Sequence, residues 1–308
     1  MRQVKLAAVG GTLVAAALAC YAPAAAEAAT SGAGYPAAIS PNSIVGQSVD
    51  QSWTQLNTFW TSARLAAAKA DPWPASGAAL PSAVTIPAGT QETAPATLPT
   101  ASGASAAVPD SLPGKTSRVW TNHKSMPATT IGKLFFFTGS GTSWCTATIV
   151  NAPNKDTIWT AAHCVSDGHG HEYEDFVFKP NLNGSSVPFG SFKAKYISAP
   201  AGYVDQGLSQ YDYAAIALSP NTRGKAQNLA GAEGWIMGGN KYNWSGVTIF
   251  GYPRIIYPSK QPVNNTQLRY CTGSTSETAH HPAGCPPRAR GLRRPSHGRP
   301  SALPSSAC

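Results

Sequence analysis

Past residue 29 the 308-residue sequence has no apolar run long enough to span a bilayer, which takes about 20 residues. A membrane-spanning mature protein is therefore not expected. There is no internal repeat, which sets aside solenoids and propellers. Acids are scarce: 14 Asp and Glu stand against 23 Lys and Arg, giving a formal net charge of +9. That balance invites an acidic partner, but its distribution argues otherwise. Arg288, Arg290, Arg293, Arg294 and Arg299 crowd into the C-terminal end with no acid among them. The rest of the chain is mildly basic. It lacks the basic, aromatic-interleaved stripe of a nucleic-acid surface, so no nucleic-acid partner is expected.

The N-terminus has what a secretory signal needs. Arg2 and Lys5 form a charged start, Leu6–Ala19 is a short apolar core, and Ala22–Ala29 offers A-x-A cleavage sites. Residues 1–29 are thus read as a signal peptide and the protein as secreted and extracellular, where disulfides form. Cys20 can serve as a lipoprotein acceptor, but Ala17 rather than Leu three residues earlier favours its being discarded with the signal.

Residues 30–125 read as a leader, either a propeptide or a cell-wall spacer. Trp53, Leu56, Phe59, Trp60 and Leu65–Ala68 fit one amphipathic helix. Pro72–Pro113 is dominated by Pro, Ala, Ser, Thr and Gly, with Glu92 and Asp110 its only charges. Such a stretch buries too little apolar area to offset its ordering entropy, so an extended linker is expected here and residues 30–125 as a whole should be largely disordered.

From about Lys115 short strand runs alternate with turns, at Gly132–Thr138, Phe176–Phe178, Phe192–Ser198 and Tyr211–Leu218. This predicts an all-β barrel or sandwich. Trp144–Cys164 (WCTATIVNAPNKDTIWTAAHC) is a predicted hairpin, with strands at Cys145–Val150 and Thr157–Ala161 around a turn at Asn151–Asp156. It sets His163 at a strand end and can bring Cys145 and Cys164 within bridging range. Asp212 leads into the apolar run Tyr213–Leu218, where an unpaired buried carboxylate is costly, so a His partner would account for it. Asp205 is a rival acid in a polar turn. Asp167, His169, His171, Glu172, Glu174 and Asp175 could ligate a metal, but the interleaved glycines favour a surface loop and no metal is expected.

Thr160-Ala161-Ala162-His163-Cys164 resembles the catalytic-histidine region of the secreted bacterial trypsin-like (chymotrypsin-fold) serine peptidases. Gly251-Tyr252-Pro253 resembles the V8- and glutamyl-endopeptidase-like branch. The resemblance implies two six-stranded antiparallel β-barrels over residues 126–275, the second incomplete, and a Cys145–Cys164 disulfide. It implies that His163 is the general base and Asp212, 49 residues on, the acid that orients it. Gly234–Met237, Val247–Pro253 and Thr266–Thr272 would be second-barrel strands. A monomer acting on protein or peptide substrates, with no cofactor, is expected.

The resemblance stops short of the nucleophile. The family's Gly-x-Ser-Gly-Gly loop occurs nowhere in the 308 residues. Ser296, Ser301, Ser305 and Ser306 lie in the right region, but their neighbours lack the glycines that close backbone approach requires. Residues 276–308 form an Arg-, Pro- and Ala-rich tail whose only large aliphatics are Leu292 and Leu303. Out-of-frame reading of GC-rich DNA gives this composition. Shifted by one nucleotide, Gly291–Arg294 can read Gly-Cys-Asp-Val, and His297–Arg299 can read Thr-Gly-Gly. A frameshift near residues 275–280 is therefore expected, and with it an inactive chain. The alternative is a non-catalytic binding protein, secreted or wall-associated, on the same scaffold. Cys271 and Cys285 are spaced like a family pair, although Cys285 falls in the tail. Cys308 has no assigned partner.

Overall fold

The computed structural model describes residues 39–70, 90–100, 117–237, 244–254 and 266–275. The expected signal peptide 1–29, the tail 276–308 with Cys285 and Cys308, and most of Pro72–Pro113 lie outside the described residues.

In chain order the elements are β1 (Ile44–Ser48), α1 (Trp53–Phe59), α2 (Ser62–Ala67), β2 (Lys69–Ala70), β3 (Glu92–Ala94), β4 (Arg118–Val119), β5 (Ile131–Phe137) and β6 (Thr142–Ile149). They continue with β7 (Thr157–Thr160), β8 (Glu174–Pro180), β9 (Phe192–Pro200), α3 (Ala201–Val204), β10 (Ala214–Ser219), α4 (Ala226–Ala230), β11 (Trp235–Met237), β12 (Trp244–Gly251) and β13 (Arg269–Thr275). The protein is mostly β, as expected.

Six strands close the first barrel: β9, β10, β7, β6, β5 and β8, with β8 returning to pair with β9. All of these pairings are antiparallel. Period-2 alternation sorts the side chains of β5. Leu134 and Phe136 enter the barrel interior with Phe176, Phe178, Phe192, Ile158 and Ile216. Ile131 and Phe135 face outward, yet they too are buried, in a second cluster with Leu56, Trp60, Trp120, Trp144, Tyr252 and Leu268. Covering on both faces explains why β5 is a continuous apolar run rather than an alternating one.

The β6–β7 turn is closed by Asn154, whose side-chain oxygen accepts from the Asp156 N–H and the Thr157 hydroxyl, with Lys155 at φ 61°. Of the second barrel, the described residues give a three-stranded sheet in the order β12-β13-β4. Gly251-Tyr252 is the joint between the two sheets. The Tyr252 N–H donates to Thr146 Oγ1 on β6 at 2.9 Å, and its hydroxyl donates to the Leu182 carbonyl at 2.7 Å. A Cβ on Gly251 would sit 3.2 Å from Thr146 Oγ1. Cys271 on β13 is disulfide-bonded.

Three expectations are corrected. The single helix from Trp53 to Ala68 is two helices: Ser52 caps the first in a capping box with Gln55, and Thr61 caps the second by accepting from the Arg64 N–H. The cap at Thr61 outcompetes an apolar periodicity that runs straight through it. The run at Gly234–Met237 does form a strand, but among the described residues β11 pairs with β3 of the leader rather than with a second-barrel strand. Finally, described parts of the leader, expected to be largely disordered, are ordered against the barrel. Here β1 pairs with β9, β2 with β6, and Thr97 with Ala232. Among the described residues no helix is long and apolar enough to cross a membrane.

One charge lies deep in the second cluster. Lys133 is fully buried, with Nζ 3.8 Å from the Trp144 ring centroid and 5.0 Å from that of Phe135. Burial, reinforced by the Lys179 ammonium, lowers its pKa to about 7. The unfolded chain keeps that proton up to about pH 10.5, so folding releases it anywhere between the two values. Stability should therefore rise with pH from about 7 to about 10.5. Lys133→Met should flatten that rise. Urea midpoints across pH check it, and a variant that keeps the slope contradicts it.

Candidate active site

His163 does not lie on β7 itself. The strand ends at Thr160, and Ala162–Cys164 form a single 3-10 turn. The turn carries His163 out of the strand direction while Ala162 and Cys164 stay buried beneath it. Cys164 is disulfide-bonded to Cys145 on β6, with their Cα atoms 6.1 Å apart. The histidine is thus held from one side by its own strand and from the other by a covalent tie to the neighbouring strand.

Asp212 arrives from the adjacent strand. A second 3-10 turn, Ser209–Tyr211, precedes it and β10 begins at Ala214, so the expected strand at Tyr211–Leu218 starts three residues late. That delay leaves Asp212 at the strand mouth, and β10 pairs with β7 from Ala214 opposite Thr160. Side-chain exposures are 9% for His163 and 4% for Asp212.

The carboxylate grips the histidine at two points. Asp212 Oδ2 lies 2.9 Å from His163 Nδ1, and Oδ1 accepts from the His163 backbone N–H at 2.8 Å. The ring contact is the one expected from sequence. The backbone contact is not legible there, because it depends on the 3-10 turn aiming the His163 N–H at the same group. Together they fix both the ring's position and its tautomer. Nδ1 carries the proton toward the carboxylate, so Nε2 is the nitrogen suited to exchange a proton with a nucleophile.

Asp205 takes no part: it is exposed at the C-terminal end of α3. Of the acidic, His-containing stretch after His163, Asp167, His169 and His171 lie in an exposed turn, Glu172 is half-buried, and Glu174 and Asp175 begin β8. Asp167 Oδ1 accepts from the backbone N–H groups of His169 and His171, and Gly168 and Gly170 have positive φ. Among the described residues, one group of three ligand atoms lies within 4.8 Å: Cys145, His163 and Cys164. Its two sulfurs are bonded to each other, so neither offers a thiolate to a metal.

The disulfide closes a loop with a sequence separation of 19. Chain-entropy arguments assign such a loop about 3 kcal/mol. Cys145→Ala with Cys164→Ala should lower the unfolding free energy by that amount, seen as a lower urea midpoint with a somewhat steeper slope, because the unbridged denatured chain exposes more surface. An unmoved midpoint would show that the bond does not support the fold.

The Trypsin family profile matches residues 122–281. A glutamyl endopeptidase of Bacillus licheniformis is 31% identical over 134 residues, covering 43% of this chain and 39% of its own length. An extracellular metalloprotease of Bacillus subtilis is 36% identical over 97 residues, covering 31% of this chain and 28% of its own. The chain therefore spans well under half of either relative. The solved structure of the protease Anisep from Arthrobacter nicotinovorans is 30% identical, covers 51% of this chain and 67% of its own, and has a TM-score of 0.42.

Proposed function

The chain belongs to the trypsin-like serine peptidases, and from that premise we propose that it derives from a secreted endopeptidase acting on proteins or peptides. The observation that carries the proposal is the two-point grip of Asp212 on His163. In such a site a serine oxygen attacks the scissile carbonyl carbon while His163 Nε2 takes the serine proton. Asp212 stabilises the resulting imidazolium. His163 then gives the proton to the departing amine, and a water molecule repeats the cycle on the acyl-enzyme. No cofactor enters. Residues 1–29 direct export, and the protein acts as a monomer outside the cell.

The serine and its oxyanion donors come from a Gly-x-Ser-Gly-Gly loop that this sequence does not contain. We assign the loss to a change of reading frame near residues 275–280. His163 and Asp212 then form a base with no nucleophile to activate, and the chain as written does not hydrolyse peptides. The test is a fluorophosphonate that labels activated serines. The purified chain should remain unlabelled. Stoichiometric labelling of any serine would overturn the assignment of the lost nucleophile.

A further inference from the structure

The six strands of the first barrel close on one another over a short seam. β8 and β9 share only two paired positions, Val177 with Lys193 and Phe178 with Phe192. Beyond these the two strands part. The next carbonyls along each strand, those of Phe176 and Ala194, turn to the leader, and both accept from the side-chain amide of Gln51, at 2.8 and 3.3 Å. Gln51 is 5% exposed. The Gln51 main-chain carbonyl accepts from Lys193 Nζ at 2.6 Å.

From there β1 takes the edge of β9 that β8 has left. Five positions pair in register, from Ile44 with Pro200 to Ser48 with Tyr196. The pairing extends at both ends: the Val49 N–H donates to the Lys195 carbonyl, and the Ala201 and Gly202 N–H groups donate to Ser43 and Pro41. On the other side α1 lies over the outer face of β5. Leu56 and Trp60 are buried there, Phe59 meets Phe137 edge to face at 5.3 Å, and the Trp60 indole N–H donates to the Asp175 carbonyl at 2.6 Å.

We propose that residues 41–68 are a permanent stave of the first barrel, and that the barrel presents a built surface for this segment. Cleavage in the Pro-rich stretch that follows then gives a two-chain protein, not a released leader. Three features support retention over release. The segment satisfies backbone groups that β8 and β9 leave unpaired, and a buried orphan carbonyl is costly. It covers the apolar outer face of β5, which would otherwise be a large exposed patch. It also caps a sheet edge open to aggregation. The inference concerns the first barrel alone and stands apart from the question of the nucleophile.

The test uses the full chain with a sequence-specific protease site inserted between Gly77 and Ala78. After cutting, the N-terminal fragment should co-elute with the remainder on size exclusion at micromolar concentration and separate only in denaturant. Separate elution under native conditions would overturn the proposal. Gln51→Ala with Trp60→Ala, cut in the same way, should weaken retention at least 100-fold. Unchanged retention would overturn the assignment of these anchors. If that variant does not fold, hydrogen exchange on the uncut, unsubstituted chain decides. Amides of residues 44–48 should exchange as slowly as those of β10, and exchange a thousandfold faster would contradict a permanent stave.

Discussion

Restoring the reading frame beyond about residue 275 should turn an inert chain into an endopeptidase. The base half of the site is already assembled: His163 is fixed by a turn, a disulfide and both oxygens of Asp212. What the sequence lacks is the Gly-x-Ser-Gly-Gly run that supplies the nucleophile and the backbone donors to the developing oxyanion. Loss of the nucleophile alone lowers kcat by about 10^6 in a Ser-His-Asp triad, because the remaining parts act only in concert with it. The restored chain should therefore cleave an unfolded protein substrate at least about 10^6 times faster than the chain as written. A folded, restored chain with no activity above the present one would contradict the assignment of His163 and Asp212.

In the restored chain, Asp212→Asn should lower kcat by about 10^4 while leaving the fold intact. The geometry explains why so small a change costs so much. Asp212 Oδ1 accepts from the His163 backbone N–H, and an Asn oxygen would keep that bond. The Asn amide nitrogen is then forced to the position 2.9 Å from Nδ1, where it can only donate. The ring must answer by putting its proton on Nε2. A histidine in that tautomer cannot take the proton of a serine. Kinetics with a peptide ester substrate would measure the effect. A loss under tenfold would mean that the two-point grip does not set the tautomer.

How much of this was legible in the sequence depends on how local the cause is. The hairpin from Trp144 to Cys164 could be read because alternation and a turn-forming Asn lie within one short stretch, whereas the 3-10 turn that carries His163 could not. Asp212 could be read because an acid at the mouth of an apolar strand demands a partner. The leader could not be read as part of the barrel. Its hold rests on Gln51, an ordinary polar residue in a polar neighbourhood, and on a strand edge left vacant by the parting of β8 and β9 far along the chain. Nor could the pairing of β11 with β3 be read, since β3 sits in a stretch whose composition speaks for a linker. The cap at Thr61 was visible as a residue type, but the apolar periodicity around it carried more weight in the sequence.

The most direct measurement is the nucleotide sequence of the gene from about codon 260 to well past the stop. The account predicts one insertion or deletion near codons 275–280, with the corrected frame reading Gly-x-Ser-Gly-Gly and further strand-forming sequence. A continuous frame supported by sound reads would contradict it, and would leave His163 and Asp212 as retained parts of a protein whose work is binding.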